Sequence, residues 1–262
     1  MDIGRFERPG TLGEARTLIV EQRGLPLGGG AWVHMTAKAA ELAVDLSGLG
    51  LDYIRDCGDA IEIGAMATAR SIETSTLLSA EFGSLFSDAT GHLVGVQLRN
   101  IITIGGTVAG KYGFSDLITV LAALDASLAM YGDASIDIMS FLTGPRGKPF
   151  LLEKIVVKKG VSVSFQSLRV TRNDFAILNA CAAFSGGAWR VAVGARPAAA
   201  RLSLEAARIL GSDGTPSAEA AGRAGAAAAA ELSFGDDTRG SSGYRRAICS
   251  VLVRRAILEA SR

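Results

Sequence analysis

Glycine, placed where a bound group could approach the main chain, is the chemistry this sequence offers first. One run, Gly28-Gly29-Gly30, follows a short apolar entry, Leu25-Pro26-Leu27. A second pair, Gly105-Gly106, follows the β-branched run Ile101–Ile104 and precedes Ser115-Asp116 and an apolar helix over Leu117–Leu124. Glycine lets N–H groups come close to a ligand with no Cβ in the way, and successive N–H groups in a turn make an anion nest. A phosphorylated ligand suits both stretches, although the first run read alone is also a plain turn. Gly105 to Lys111 matches a phosphate-binding loop up to its last position, where a magnesium-ligating Ser or Thr belongs and Tyr112 stands. Gly28-x-Gly30 lacks the third glycine of the dinucleotide fingerprint, since Val33 occupies its place, and Gly48-x-Gly50 fails at Tyr53. A nucleoside-triphosphatase and a Rossmann domain are therefore both disfavoured.

Other reactive side chains are sparse. His34 and His92 are the only histidines, and Cys57, Cys181 and Cys249 share no metal-type spacing. These support neither a Ser-His-Asp triad nor a zinc or iron–sulfur site, so no catalytic side chain and no metal ligand is assigned. Lys plus Arg (27) nearly balances Asp plus Glu (26), which gives no electrostatic footprint for nucleic acid or membrane. The start of the chain has no apolar signal region, and Leu117–Met130 is too short to span a bilayer. A cytoplasmic protein is expected.

The elements that must position the glycines read as follows. Thr11 caps a helix that runs to Gln22 and ends at Gly24. Ala43–Leu46 is a strand, and Tyr53–Arg55 with Ala60–Ile63 flank the turn Asp56-Cys57-Gly58-Asp59. Helices follow over Thr68–Leu77 and Ala80–Thr90. Ile101–Ile104 reads as a strand into the second glycine pair. Strands at Ser127–Tyr131, Ser135–Ile138 and Leu151–Val157 complete a first domain, with a loop at Gly144–Pro149. Beyond Gly160, Val161–Val170, Ala176–Phe184 and Trp189–Val193 predict a three-stranded sheet. Helices over Pro197–Leu210, Pro216–Leu232 and Ser241–Ser261 cover it.

Gln97-x-Arg99-Asn100-x-x-Thr103-x-Gly105-Gly106, with Ser115-Asp116 after it, resembles the second flavin motif of the FAD-binding medium subunits of molybdenum hydroxylases, the xanthine dehydrogenase and carbon monoxide dehydrogenase flavoproteins. Leu27–Ala31 resembles their first flavin loop, Ile63–Met66 a conserved-order segment between the two, and Asp236–Arg255 their C-terminal helix. The likeness covers nearly the whole chain in the same order. It implies an α+β fold: a two-part FAD-binding domain of the PCMH (vanillyl-alcohol-oxidase-like) type over residues 1–160, then a smaller domain over 161–262.

The same resemblance implies the cofactor, FAD, and its contacts. The first loop would be Leu27, Gly28, Gly29, Gly30, Ala31, Trp32, Val33 and His34. The second would be Thr103, Ile104, Gly105, Gly106 and Thr107, with N–H groups aimed at the diphosphate from both sides. Asp116 would accept from the ribose or adenine side, though a helix cap describes it equally. Ile155 would pack near the flavin ring, or serve simply as a strand residue. Gln166 falls where the family often places a lysine, and it brings no charge. Further departures are Thr107 for Asn, Gly30 and Ala31 for more polar residues, and Gly113 for Pro. The implied role is electron transfer. A molybdopterin-binding large subunit and a small subunit with two iron–sulfur clusters are the implied partners, and NAD or another acceptor takes the electrons. Two alternatives stand beside it: a flavin-free structural subunit of the same complex, and a stand-alone FAD oxidoreductase.

Overall fold

The computed structural model describes residues 2–33 and 39–262. The chain opens with a strand that its sequence does not announce, β1 (Ile3–Glu7), whose side chains are mostly exposed. Thr11 caps α1 (Leu12–Arg16): its hydroxyl accepts from Glu14 N at 3.2 Å, while the Glu14 carboxylate accepts from Gly10 N at 2.9 Å. A π-helical turn over Thr17–Glu21 prolongs it. The helix closes with Arg23 in the left-handed region (φ 56°) and Gly24 N bonded to Leu18 O at 2.9 Å. Arg23 thus takes the strained conformation. Gly24 is needed for another reason, since a Cβ there would lie 2.7 Å from Val44 Cγ2. β2 (Leu25–Leu27) and β3 (Ala40–Asp45) complete a three-stranded parallel sheet in the order β1-β3-β2.

A five-stranded antiparallel sheet comes next. β4 (Ile54–Asp56) and β5 (Ala60–Gly64) form the expected hairpin, with Gly58 at φ 84° and its N–H on Asp56 Oδ1 at 2.9 Å. The single helix expected over Thr68–Leu77 is two, α2 (Ala69–Glu73) and α3 (Thr76–Phe82), because Ser75 caps the second: its hydroxyl accepts from Leu78 N. After α4 (Leu85–Thr90) and α5 (Val96–Arg99), the expected strand at Ile101–Ile104 is absent. Thr103 instead caps α6 (Ile104–Gly110). Ser115 then caps α7 (Asp116–Ala123), which is buried along its whole length. β6 (Ser127–Met130), β7 (Ile136–Asp137), α8 (Ile138–Thr143) and β8 (Leu152–Lys158) follow, giving strand order β4-β5-β8-β6-β7.

The remaining chain is a sheet covered by helices. β9 (Ser162–Leu168), β10 (Leu178–Ser185) and β11 (Ala188–Gly194) form the expected three-stranded antiparallel sheet, and a two-residue β12 (Arg201–Leu202) extends it. That pairing delays the helix expected from Pro197. Ser203 caps α9 (Leu204–Leu210) only after the strand. α10 (Ala218–Glu231) is nearly all small residues for a packing reason. A Cβ at Gly225 would stand 2.4 Å from Ser250 O on α11 (Ser242–Ala260), so the two helix backbones nearly touch. Ala221, Ala224 and Ala228 share a core with Val191, Val193 and Ile257. The architecture is the α+β one expected. No helix among the described residues is long and apolar enough to cross a membrane.

Candidate functional site

The first glycine run, far away in sequence, packs against the residues that lead into the second. A Cβ at Gly28 would lie 2.5 Å from Thr103 Oγ1, and one at Gly29 would lie 1.3 Å from Ile101 O. Only glycine permits this approach. The second motif, however, does not offer its amides as expected. Ile104 N donates to Ala67 O at 2.9 Å, Gly105 N to Ala65 O at 2.8 Å, and Gly106 N to Thr103 Oγ1 at 3.2 Å. Gly105 is glycine because a Cβ would meet Ala65 O at 2.6 Å. Gly106 differs: it is exposed, and Thr103 Oγ1 at 3.0 Å is the one atom near its missing Cβ.

A cavity of about 430 Å³ opens over this junction. Gly28, Gly29, Gly30, Ala31, Trp32 and Val33 line it from the first loop, and Thr103, Gly106 and Thr107 from the second. Gly28 and Gly29 have no main-chain acceptor for their N–H groups among the described residues. Arg23 and Lys148 add positive charge, and no carboxylate stands among the described lining residues. Tyr112 and Phe150 add flat apolar surface. Burial pushes the Tyr112 phenol above its ordinary range, against the pull of Arg146. The site therefore suits a doubly charged diphosphate carrying a flat ring, and FAD fits that description. The sequence did not mark Arg23, Lys148, Tyr112 or Phe150, because Arg23 reads as a helix end and Lys148 as part of a loop.

The other expected contacts lie elsewhere. His34 is outside the described residues. Leu27, Ile104 and Gly105 do not line the cavity; Ile104 and Gly105 are buried. Asp116 is 2% exposed, and its carboxylate accepts from Arg169 Nη2 and, at 2.5 Å, from Asn179 Nδ2. Burial pushes that carboxyl up, and Arg169 and Asn179 pull it down. Thr119 Oγ1 donates to Asn179 Oδ1 at 2.8 Å, which fixes the amide. The cap of α7 is Ser115 and not Asp116. Asp116 thus joins the two halves of the chain rather than facing the cavity. Ile155 is fully buried between Ile63 and Leu128 in the five-stranded sheet. Gln166 donates to Glu259 Oε2 at 2.5 Å. Arg99 of the second motif is structural too, donating to both carboxylate oxygens of Glu73 at 2.8 and 3.3 Å.

Residues 3–159 match the FAD binding domain in molybdopterin dehydrogenase, and residues 163–260 the CO dehydrogenase flavoprotein C-terminal domain. The medium subunit of nicotine 6-hydroxylase from Paenarthrobacter nicotinovorans is 25% identical over 98% of this chain and 96% of its own. YgfM, an uncharacterized protein of Escherichia coli K12, is 28% identical over 160 residues; the match spans 60% of its length and 60% of this chain. Among solved structures, carbon monoxide dehydrogenase from Hydrogenophaga pseudoflava superposes with a TM-score of 0.88 at 24% identity, covering 98% of this chain and 96% of its own. Quinoline 2-oxidoreductase from Pseudomonas putida 86 gives 0.87 at 20% identity, covering 100% and 97%. At these identities the structures establish the fold.

Proposed function

The chain belongs to the FAD-binding medium subunits of the molybdenum hydroxylase and CO dehydrogenase family, and from that membership we propose that it works as the electron-transfer flavoprotein subunit of a molybdenum hydroxylase complex. In this reading it takes electrons from the iron–sulfur clusters of a small partner subunit. A molybdopterin-binding large subunit carries out the hydroxylation, and NAD or another acceptor receives the electrons. We place the domain division near Gly160, between the two matched segments.

One observation carries the reading: both glycine runs meet at one cavity that has positive charge and no acid among its described lining residues. FAD, when bound, supplies the redox chemistry. The protein's own work is binding and orientation. Gly28 and Gly29 bring N–H groups to the diphosphate, Arg23 and Lys148 offset its charge, and Gly106 leaves the space open. Thr103 holds the loops in register, since its hydroxyl accepts from Gly106 N and also lies against Gly28.

A second reading, a flavin-free structural subunit, draws on the engagement of Asp116 and Gln166 by other side chains. The experiment is to express the chain with its neighbouring genes and isolate the complex. Bound flavin and co-purifying iron and molybdenum support the first reading. A complex that assembles and turns over without flavin supports the second and sinks the first.

A further inference from the structure

Aromatic side chains make up only 6% of the chain, yet four of them cluster beside the cavity, two of them in its wall. Trp32 comes from the first glycine loop, Tyr112 and Phe114 from the link between α6 and α7, and Phe175 from the approach to β10. The Trp32 ring lies 5.9 Å from Tyr112, 5.4 Å from Phe114 and 5.8 Å from Phe175. These three neighbours are tilted against it by 51°, 59° and 43°, so none of them lies parallel on an indole face. The backing is firm: Phe114 and Phe175 are 4.4 Å apart, Tyr112 stacks on Phe114 at 19°, and the Arg239 guanidinium sits 5.3 Å from the Phe175 ring. Trp32 and Tyr112 line the cavity, whereas Phe114 and Phe175 stand behind it. Trp32 is half-buried, in contrast to Trp189, which is 4% exposed in the second core.

A rigid indole that no parallel ring covers, beside a glycine cradle, is a stacking surface awaiting a partner. We infer that Trp32 is the platform on which one flat ring of the bound dinucleotide lies, and that Phe114 and Phe175, one from each half of the chain, hold it in position. This rests on the FAD reading above. The two rings of FAD, flavin and adenine, share the chemistry that the platform recognises.

The test uses the full-length protein and Trp32→Leu, with FAD and ADP affinities measured by ultrafiltration and bound-flavin emission by fluorescence. Indole contact quenches flavin emission, which a purely structural role for Trp32 would not do. With the flavin on Trp32, the variant binds FAD about ten-fold more weakly and its bound flavin emits more strongly. With adenine there, FAD and ADP both weaken about ten-fold and flavin emission stays put. Phe175→Leu removes backing alone, so it weakens FAD by less than Trp32→Leu. Should the tryptophan variant fail to fold, the unmodified protein still answers. Bound-flavin emission that stays below that of free FMN when Tyr112 is replaced by Leu, or quenching of tryptophan emission by ADP, supports the platform, and the lack of both overturns it. Unchanged affinity and emission in a folded Trp32→Leu also overturn it and leave FAD binding intact. A folded wild-type protein that takes up no FAD brings down the reading beneath it.

Discussion

Replacing Asp116 by Asn separates a structural role from a cofactor role at the residue where sequence and structure diverge most. The carboxylate accepts from Arg169, whose side chain is 7% exposed, and from Asn179. The amide keeps the shape, and its oxygen can still accept from Arg169. Its NH2 group would then face the NH2 group of Asn179, donor against donor, and Arg169 would lose its counter-charge in a buried place. Removing one partner of a buried ion pair costs about 3–5 kcal/mol, and the retained Arg169 bond places this variant near about 3. For a chain of this size each kcal/mol lowers Tm by about 2–4 °C, so a fall of about 6–12 °C is expected by circular dichroism. FAD affinity of the folded variant should stay within about two-fold, since Asp116 does not line the cavity. An unchanged Tm together with a ten-fold loss of FAD affinity would rule out the structural role and return Asp116 to the cofactor.

Gly29→Ala sets a Cβ on Ile101 O and should cost about 1–3 kcal/mol by overpacking, with weaker FAD binding. Gly30→Ala has open space and bears only the left-handed φ of 70°, about 1–2 kcal/mol. Their order in Tm and FAD affinity checks the loop contact, and Gly29→Ala proving the milder on both counts would contradict it. Burial raises the Glu73 carboxyl, but the bonds from Arg70 and Arg99 outweigh it and hold the pKa below its ordinary 4.5. The resulting stability is present above that value and is lost as pH falls through the folded pKa. The stability gap between wild type and Glu73→Gln should therefore shrink on acidification in urea titrations. A gap that is constant with pH would show that charge has no part in it.

Much of the fold was legible because local chemistry decided it. Thr11 and Glu14 form a reciprocal cap, Asp56 and Gly58 make their turn, and Gly186 and Gly187, at φ 57° and 76°, make the β10–β11 hairpin. Long-range bonding decided the failures. Ile101–Ile104 has strand-like residues, but it makes one bridge, Thr103 to Thr68, before its amides turn to Ala67 and Ala65 and the chain winds into α6. Ala198–Ala200 favours helix, but Arg201–Leu202 pairs with β11 first. At the site, the glycines were visible because their spacing is local. The cations were not, since Arg23 and Lys148 converge only in the folded chain. Asp116 reads equally as a cap or a ligand until Arg169 and Asn179 arrive from the second half.

Equilibrium FAD binding to wild type and to Gly106→Leu decides whether the cavity at the glycine junction holds the cofactor. Gly106 is helical and exposed to the cavity, so leucine there gains somewhat less than about 1 kcal/mol of helix propensity, offset by a Cβ 3.0 Å from the capping Thr103 Oγ1, while its side chain enters the space meant for cofactor. The account predicts that wild type binds a single FAD per chain. It also predicts that the variant, still folded and with a Tm near that of wild type, binds at least about ten-fold more weakly. Equal binding by the two, or none by a folded wild type, would contradict it.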